Sequence, residues 1–286
     1  MNEFNYWDIP LAALPSRGKE YPESATIKFR CLNVRDLKFL AAINEKNARR
    51  MVNSILERCL LIENLEFKDV LEGDRLTLVF YLRTNTFQLS NSYQTEFVCP
   101  YCRSRVSSEF QMSSLHVKNI DESVLRSIYI GGVKISGVHR KISDKKYVSN
   151  DHDIENILNW TDIADHFDNE NIESDILELP ADTFSKLKHL AEDAMFGIES
   201  WTNLICTDCG RELRVGVDIR DINLFNPVNT ITMIRNQIQV SKYCGVLIND
   251  DMPYNEVELL IATVNDMAQK ESENLKKGSK PKGVSR

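Results

Sequence analysis

The stretch Phe97-Val98-Cys99-Pro100-Tyr101-Cys102 decides the fold, and it is answered far downstream by Leu204-Ile205-Cys206-Thr207-Asp208-Cys209-Gly210. Each is a C-x-x-C between apolar flanks. The same offset of 107 positions carries Thr95 onto Thr202, Phe97 onto Leu204, Val98 onto Ile205 and Val106 onto Leu213. Each copy reads as strand, tight cysteine turn, strand. Two such turns supply four thiolates, the ligand set of a closed tetrahedral zinc site.

A two-residue gap lets both sulfurs of one turn reach one ion at about 2.3 Å, so each turn covers half of the tetrahedron. The long intervening segment does not forbid this. Closing a loop of roughly 100 residues costs about 4 kcal/mol, whereas structural zinc contributes on the order of 10–16 kcal/mol in small zinc peptides. Two other readings compete. A redox pair requires a βαβ context with a helix directly after the first cysteine, but residues 103–110 and 211–219 pattern as strands. The other is four unconnected buried thiols. The spacing favours Cys99, Cys102, Cys206 and Cys209 as ligands of one structural Zn2+, with no position left open for water or substrate.

The chain has 286 residues, 42% hydrophobic and 27% charged, the proportions of an ordinary globular protein with one large or two smaller domains. A formal net charge of −7 disfavours a dedicated nucleic-acid binder, which carries a basic footprint. No apolar run reaches the roughly 20 residues of a membrane span, and Met1–Pro10 is polar and acidic, unlike a secretory signal. Cys31, Cys59 and Cys244 are scattered. An odd cysteine total with two metal-type pairs points to a reducing compartment.

The expected fold class is α+β: a zinc-ribbon-like knuckle pair carrying a domain-sized α/β insert and flanked by helical regions. The expected parts are an N-terminal extended segment with helices (1–92), the two knuckles (93–110 and 201–220), the insert (111–200), C-terminal helices (221–275) and a disordered basic tail (276–286). Ile27, Phe29 and Cys31 alternate as in a strand. Asn33 can cap a helix carrying Leu37 and Leu40. Met51, Val52, Ile55, Leu56 and Cys59 form a helical apolar stripe, which makes Cys59 a core residue. Residues 75–84 fit both periods; a helix capped by Asp74 is the preferred reading. Ser127–His139 reads as two strands around Gly131-Gly132. Asp151–Phe167 and Pro180–Met195 read as helices. Ile231, Ile234 and Ile238 mark one face of a helix over 230–242, and a long amphipathic helix runs from Pro253 to about Lys270.

Catalytic signatures are absent: there is no Walker loop, no H-E-x-x-H and no G-x-S-x-G. Asp151-His152-Asp153 reads as a helix N-terminus with acids favoured by the dipole rather than as a site. His116, His139, His166 and His189 share no ligand spacing. With no converging acid, base and nucleophile, the chain is expected not to be an enzyme.

The opening Leu14-Pro15-Ser16-Arg17-Gly18-Lys19-Glu20-Tyr21-Pro22 resembles that of the baseplate hub and hub-assembly proteins of T-even-type contractile-tailed phages. The order of the later elements is similar too: a strand and two-helix unit over 27–60, an Arg83 stretch leading into a C-x-x-C, and a second C-x-x-C before a helical C-terminus. The resemblance implies no catalytic residue. It implies a role in building the central hub through contacts with other baseplate and tail proteins, in the host cytoplasm during assembly or in the virion tail baseplate. Within the opening, Leu14 and Tyr21 suit either a partner's groove or the protein's own core. The alternative is a zinc-ribbon nucleic-acid-binding or transcription-associated factor: Tyr101, Arg103, Arg105, Arg211 and Arg214 favour it, and Glu109, Asp208, Glu212 and Asp218 dilute it.

Overall fold

The computed structural model describes residues 5–89, 92–167, 171–225 and 230–278. In chain order its elements are β1 (Trp7–Ile9), β2 (Thr26–Phe29), α1 (Val34–Leu40), α2 (Ala48–Cys59), β3 (Leu60–Glu63), α3 (Glu72–Thr86), β4 (Ser92–Val98) and β5 (Arg105–Gln111). Next come β6 (Val117–Lys118), β7 (Ser127–Ile130), β8 (Val133–Ser136), α4 (His152–Trp160), α5 (Ile163–His166), α6 (Ile172–Leu177) and α7 (Ala181–Ala194). The chain ends with β9 (Gly197–Ile198), β10 (Trp201–Ile205), β11 (Glu212–Gly216), α8 (Asp221–Leu224), α9 (Thr230–Cys244) and α10 (Tyr254–Gly278). This is the expected α+β mixture. Two compact units interleave along it. Residues up to Phe29, Leu60–Tyr81 and Ser92–Asp218 form the first; Arg30–Cys59, Leu82–Asn91 and residues from Ile219 onward form the second.

In the first unit, β1, β2 and β3 make an antiparallel sheet in that order, with Phe29 opposite both Trp7 and Leu60. The alternation of Ile27 and Phe29 buries both, as the sequence pattern requires. The Phe29 ring lies between those of Trp7 and Tyr81, with centroids 5.6 and 6.2 Å away.

The proline-rich opening is part of this core: Leu14, Ser16 and Tyr21 are all buried. The Asp74 carboxylate accepts hydrogen bonds from the Ser16 backbone N–H at 2.8 Å and the Tyr21 hydroxyl at 2.6 Å. The Leu71 N–H donates to the Tyr21 oxygen at 3.0 Å. One expectation is corrected here and one open choice is decided. Asp74 is not an N-cap, because α3 already begins at Glu72 and the Asp74 side chain turns to the opening. Leu14 and Tyr21 serve the core and not a partner's groove. Next to Asp74, Gly73 admits the Phe196 ring so closely that a Cβ would stand 2.4 Å from it.

The insert has its own core. Ile135 of β8, Ile154 and Ile157 of α4, and Leu187 and Leu190 of α7 are buried together. The helical pattern over 151–167 divides into α4 and α5. Thr161 turns its hydroxyl back onto the Ile157 carbonyl at 2.7 Å, and Asp162 takes the Ser136 N–H at 2.7 Å, so strand β8 bends the chain. Asp151 caps α4 by accepting from the N–H groups of Asp153 and Ile154.

In the second unit Asn33 and Asp36 form the capping box of α1. Asp36 is fully buried and is neutralised by Arg30 at 2.7 Å and Arg58 at 2.8 Å. Cys59 lies in the core on the α2 stripe. Asp250 and Asp251, before α10, pair with Lys38 and Arg35. Two differences from the sequence pattern stand out. Ile234 and Ile238, on the apolar face expected of α9, are 50% and 62% exposed. Helix α10 continues to Gly278, beyond the expected end near Lys270. Residues 279–286 of the expected basic tail lie outside the described residues.

Candidate metal centre

The two cysteine turns are built alike. Strands β4 and β5 pair antiparallel with Val98 opposite Arg105, and β10 and β11 pair with Ile205 opposite Glu212, the same register displaced by the same offset. In each turn the first cysteine donates its N–H to the residue closing the loop, Cys99 to the Ser104 carbonyl at 3.0 Å and Cys206 to the Arg211 carbonyl at 2.9 Å. In each, the residue after the second cysteine donates back to the first, Arg103 to Cys99 and Gly210 to Cys206, both at 2.8 Å. That residue takes a left-handed backbone in both copies: φ is 62° at Arg103 and 71° at Gly210.

The hairpins bring the four sulfurs within 4.8 Å of one another. Cys99 and Cys209 lie 3.7 Å apart, as do Cys102 and Cys206. These are not disulfides, which need about 2.05 Å. Four thiolates at about 2.3 Å from a shared ion stand about 3.8 Å from one another in a tetrahedron, so the spacing fits such an ion. Cys99 and Cys206 are buried, and Cys102 and Cys209 are exposed, which gives an ion a way in. All four belong to the first unit.

The protein also conditions the sulfurs. The Ser104 hydroxyl and N–H pull the Cys102 thiol down to about 6. At Cys209 the Arg211 N–H favours the thiolate, but desolvation and the three neighbouring sulfurs outweigh it and push the thiol up to about 11. All four sulfurs of so close a cluster can be thiolates together only around a cation, which is the chemistry of a thiolate metal site. Cysteine spacing gives no sign of Ser104 and Arg211. They stand at equivalent positions of the two turns, so the constant offset of 107 is the one sequence signal that pairs them. The Arg211 guanidinium lies 4.3 Å over the Tyr101 ring, joining the two turns.

The remaining sequence candidates go elsewhere. Asp151 is a cap. His116 pairs with Glu199 and stacks on Trp201, His139 pairs with Glu20, His166 with Asp162 and His189 with Glu192. Among the described residues, the four cysteines are the one cluster of His, Cys, Asp or Glu side chains able to hold a metal ion.

The family model described as T4 bacteriophage base plate protein matches residues 8–226, a span that contains both cysteine turns, the insert and the opening. The chain belongs to that family. Baseplate proteins of T4-type phages work beside other tail proteins, and the family supports a structural role for this one. Among the described residues, no helix is long and apolar enough to cross a membrane. No curated protein and no solved structure matches the chain.

Proposed function

We propose that this baseplate protein is a non-enzymatic structural or assembly component of the central hub, held in shape by one structural Zn2+ on Cys99, Cys102, Cys206 and Cys209. The observation that carries the metal reading is the sulfur geometry: two hairpins 107 positions apart deliver four thiols to one point at tetrahedral spacing. Closed coordination gives zinc a bracing role, since no ligand position remains for chemistry. Zinc clamps the two ends of the insert, so 111–200 is presented on a rigid base. The hub reading rests on the opening and on the order of elements. On that reading the protein works in the host cytoplasm during assembly or in the virion tail baseplate.

Affinity capture of the tagged full-length chain from infected cells tests the function. Co-purifying baseplate and tail proteins support it, and hub proteins among them support the finer assignment. Recovery of polymerase or nucleic acid instead favours the zinc-ribbon alternative.

A further inference from the structure

Helices α9 and α10 lie beyond the family match, and each leaves an apolar row uncovered. On α9, Val240 is buried, and Asn236 and Gln237 line a groove toward Val257 and Ile261 of α10. Ile234 and Ile238, one turn apart, stand 50% and 62% exposed; at about 100° per residue, Ile238 lies roughly 160° round the helix from Val240. On α10, Tyr254, Val257 and Val264 are buried, whereas Leu259 and Met267 remain 51% and 40% exposed.

The charges beside these rows are opposite. Helix α9 carries Arg235 and Lys242 and no acidic residue, and both cations are exposed. Over Glu256–Met267, the stretch that carries Leu259 and Met267, helix α10 has Glu256, Glu258 and Asp266 and no basic residue; Lys270, which pairs with Asp266, and Lys276 and Lys277 follow further along. A basic apolar face and an acidic apolar face thus occur on one chain. A two-fold operation satisfies both at once, because surface i meets surface j and j meets i. A foreign partner would have to match two faces of opposite sign separately.

We infer that a second copy of this chain docks here: α9 of each copy lies on α10 of the other, a four-helix contact with Ile234 and Ile238 against Leu259 and Met267 and the α9 cations facing the α10 acids. The inference does not depend on what the cysteines bind.

Sedimentation equilibrium of the full-length protein, from low to high micromolar concentration and in low and high salt, tests it. A dimer weakened by salt is expected. Ile238→Lys should weaken it about tenfold or more, with circular dichroism unchanged because the residue is exposed. A charge exchange supplies the second measurement. The Arg235→Glu/Lys242→Glu chain and the Glu256→Lys/Asp266→Lys chain should each be monomeric, and their equimolar mixture should dimerise, since every facing pair is then complementary again. A wild-type monomer throughout the range, a dimer indifferent to Ile238→Lys, or a mixture no more associated than its components overturns the inference. The first of these outcomes assigns the face to another baseplate protein.

Discussion

The hydroxyl of Tyr21 donates a 2.6 Å hydrogen bond to the carboxylate of Asp74, 53 residues later in the chain, and its oxygen receives the Leu71 N–H. One phenol therefore satisfies a buried acceptor and a buried donor. Tyr21→Phe takes the partner from the Leu71 N–H and leaves Asp74 only its Ser16 donor, and it is expected to lower stability by about 1–3 kcal/mol. Urea unfolding of the two proteins measures this. A loss below about 0.5 kcal/mol would mean that water replaces the phenol.

Asp74 gives the same network a pH dependence. Burial raises its carboxyl above the usual range, against the lowering effects of the Ser16 and Tyr21 hydrogen bonds. A carboxyl raised in the native state contributes most to stability below its unfolded value of about 3.9, and that contribution is lost as pH rises through the native value. Wild type should therefore gain stability relative to Asp74→Asn as pH falls from neutrality toward about 4. A pH-independent difference between the two would show that Asp74 titrates normally.

Cys206→Ser removes one of four sulfurs. The protein as purified is expected to carry about one zinc per chain, and the variant to lose it together with several kcal/mol of stability, because metal binding and folding are coupled. Elemental analysis and thermal unfolding read the two effects. Hydrogen exchange should locate the loss in β4, β5, β10 and β11. Amides of β8, α4 and α7 should stay protected, since those elements share a core of their own. A metal-free wild type that is equally stable would defeat the zinc assignment.

Arg103 and Gly210 test the duplication at a single backbone position. A non-glycine residue in the left-handed region costs roughly 1–2 kcal/mol. A Cβ on Gly210 meets nothing within 4 Å, so Gly210→Ala should cost about that much through conformation alone. Arg103→Gly should be neutral or gain up to about 1 kcal/mol. Equal and opposite behaviour is not required; a destabilised Arg103→Gly would reveal a contact of the arginine side chain.

A feature is legible in the sequence where it leaves a local signature. The cysteine turns, the β7–β8 hairpin at Gly131-Gly132 and helix α7 between Pro180 and Gly197 are announced by residues whose backbone or metal chemistry has few alternatives. The start of α3 is hidden because Gly73 stands at its second position, where the Phe196 ring demands it. Burial of Ser16 and Asp74 cannot be read from polarity, which locally argues for the surface; only their mutual satisfaction across the chain explains it. Ile234 and Ile238 give α9 a real apolar period. A period shows that a face is apolar but not what covers it.

The opening segment gives the last test. Its resemblance to hub proteins invites deletion of residues 1–22 as a way to remove a docking element while keeping the core. The structure argues for another outcome. Such a deletion takes away Ile9, Leu14 and Tyr21 from the core, strand β1 from the sheet, and both donors from the buried Asp74. The truncated chain is expected to be insoluble or to lose its cooperative transition, measured by circular dichroism, so its failure to assemble would say nothing about contacts. The exposed side of the opening can be probed separately. Arg17 and Lys19 both engage Asp121, an exposed arrangement within the same unit. Exposed pairs of this kind are worth about 0–1 kcal/mol each. The Arg17→Ala/Lys19→Ala protein should therefore fold with nearly the wild-type midpoint, and it should still co-purify with tail proteins. If it folds but no longer co-purifies, these two cations form a partner contact, and the opening serves both core and interface.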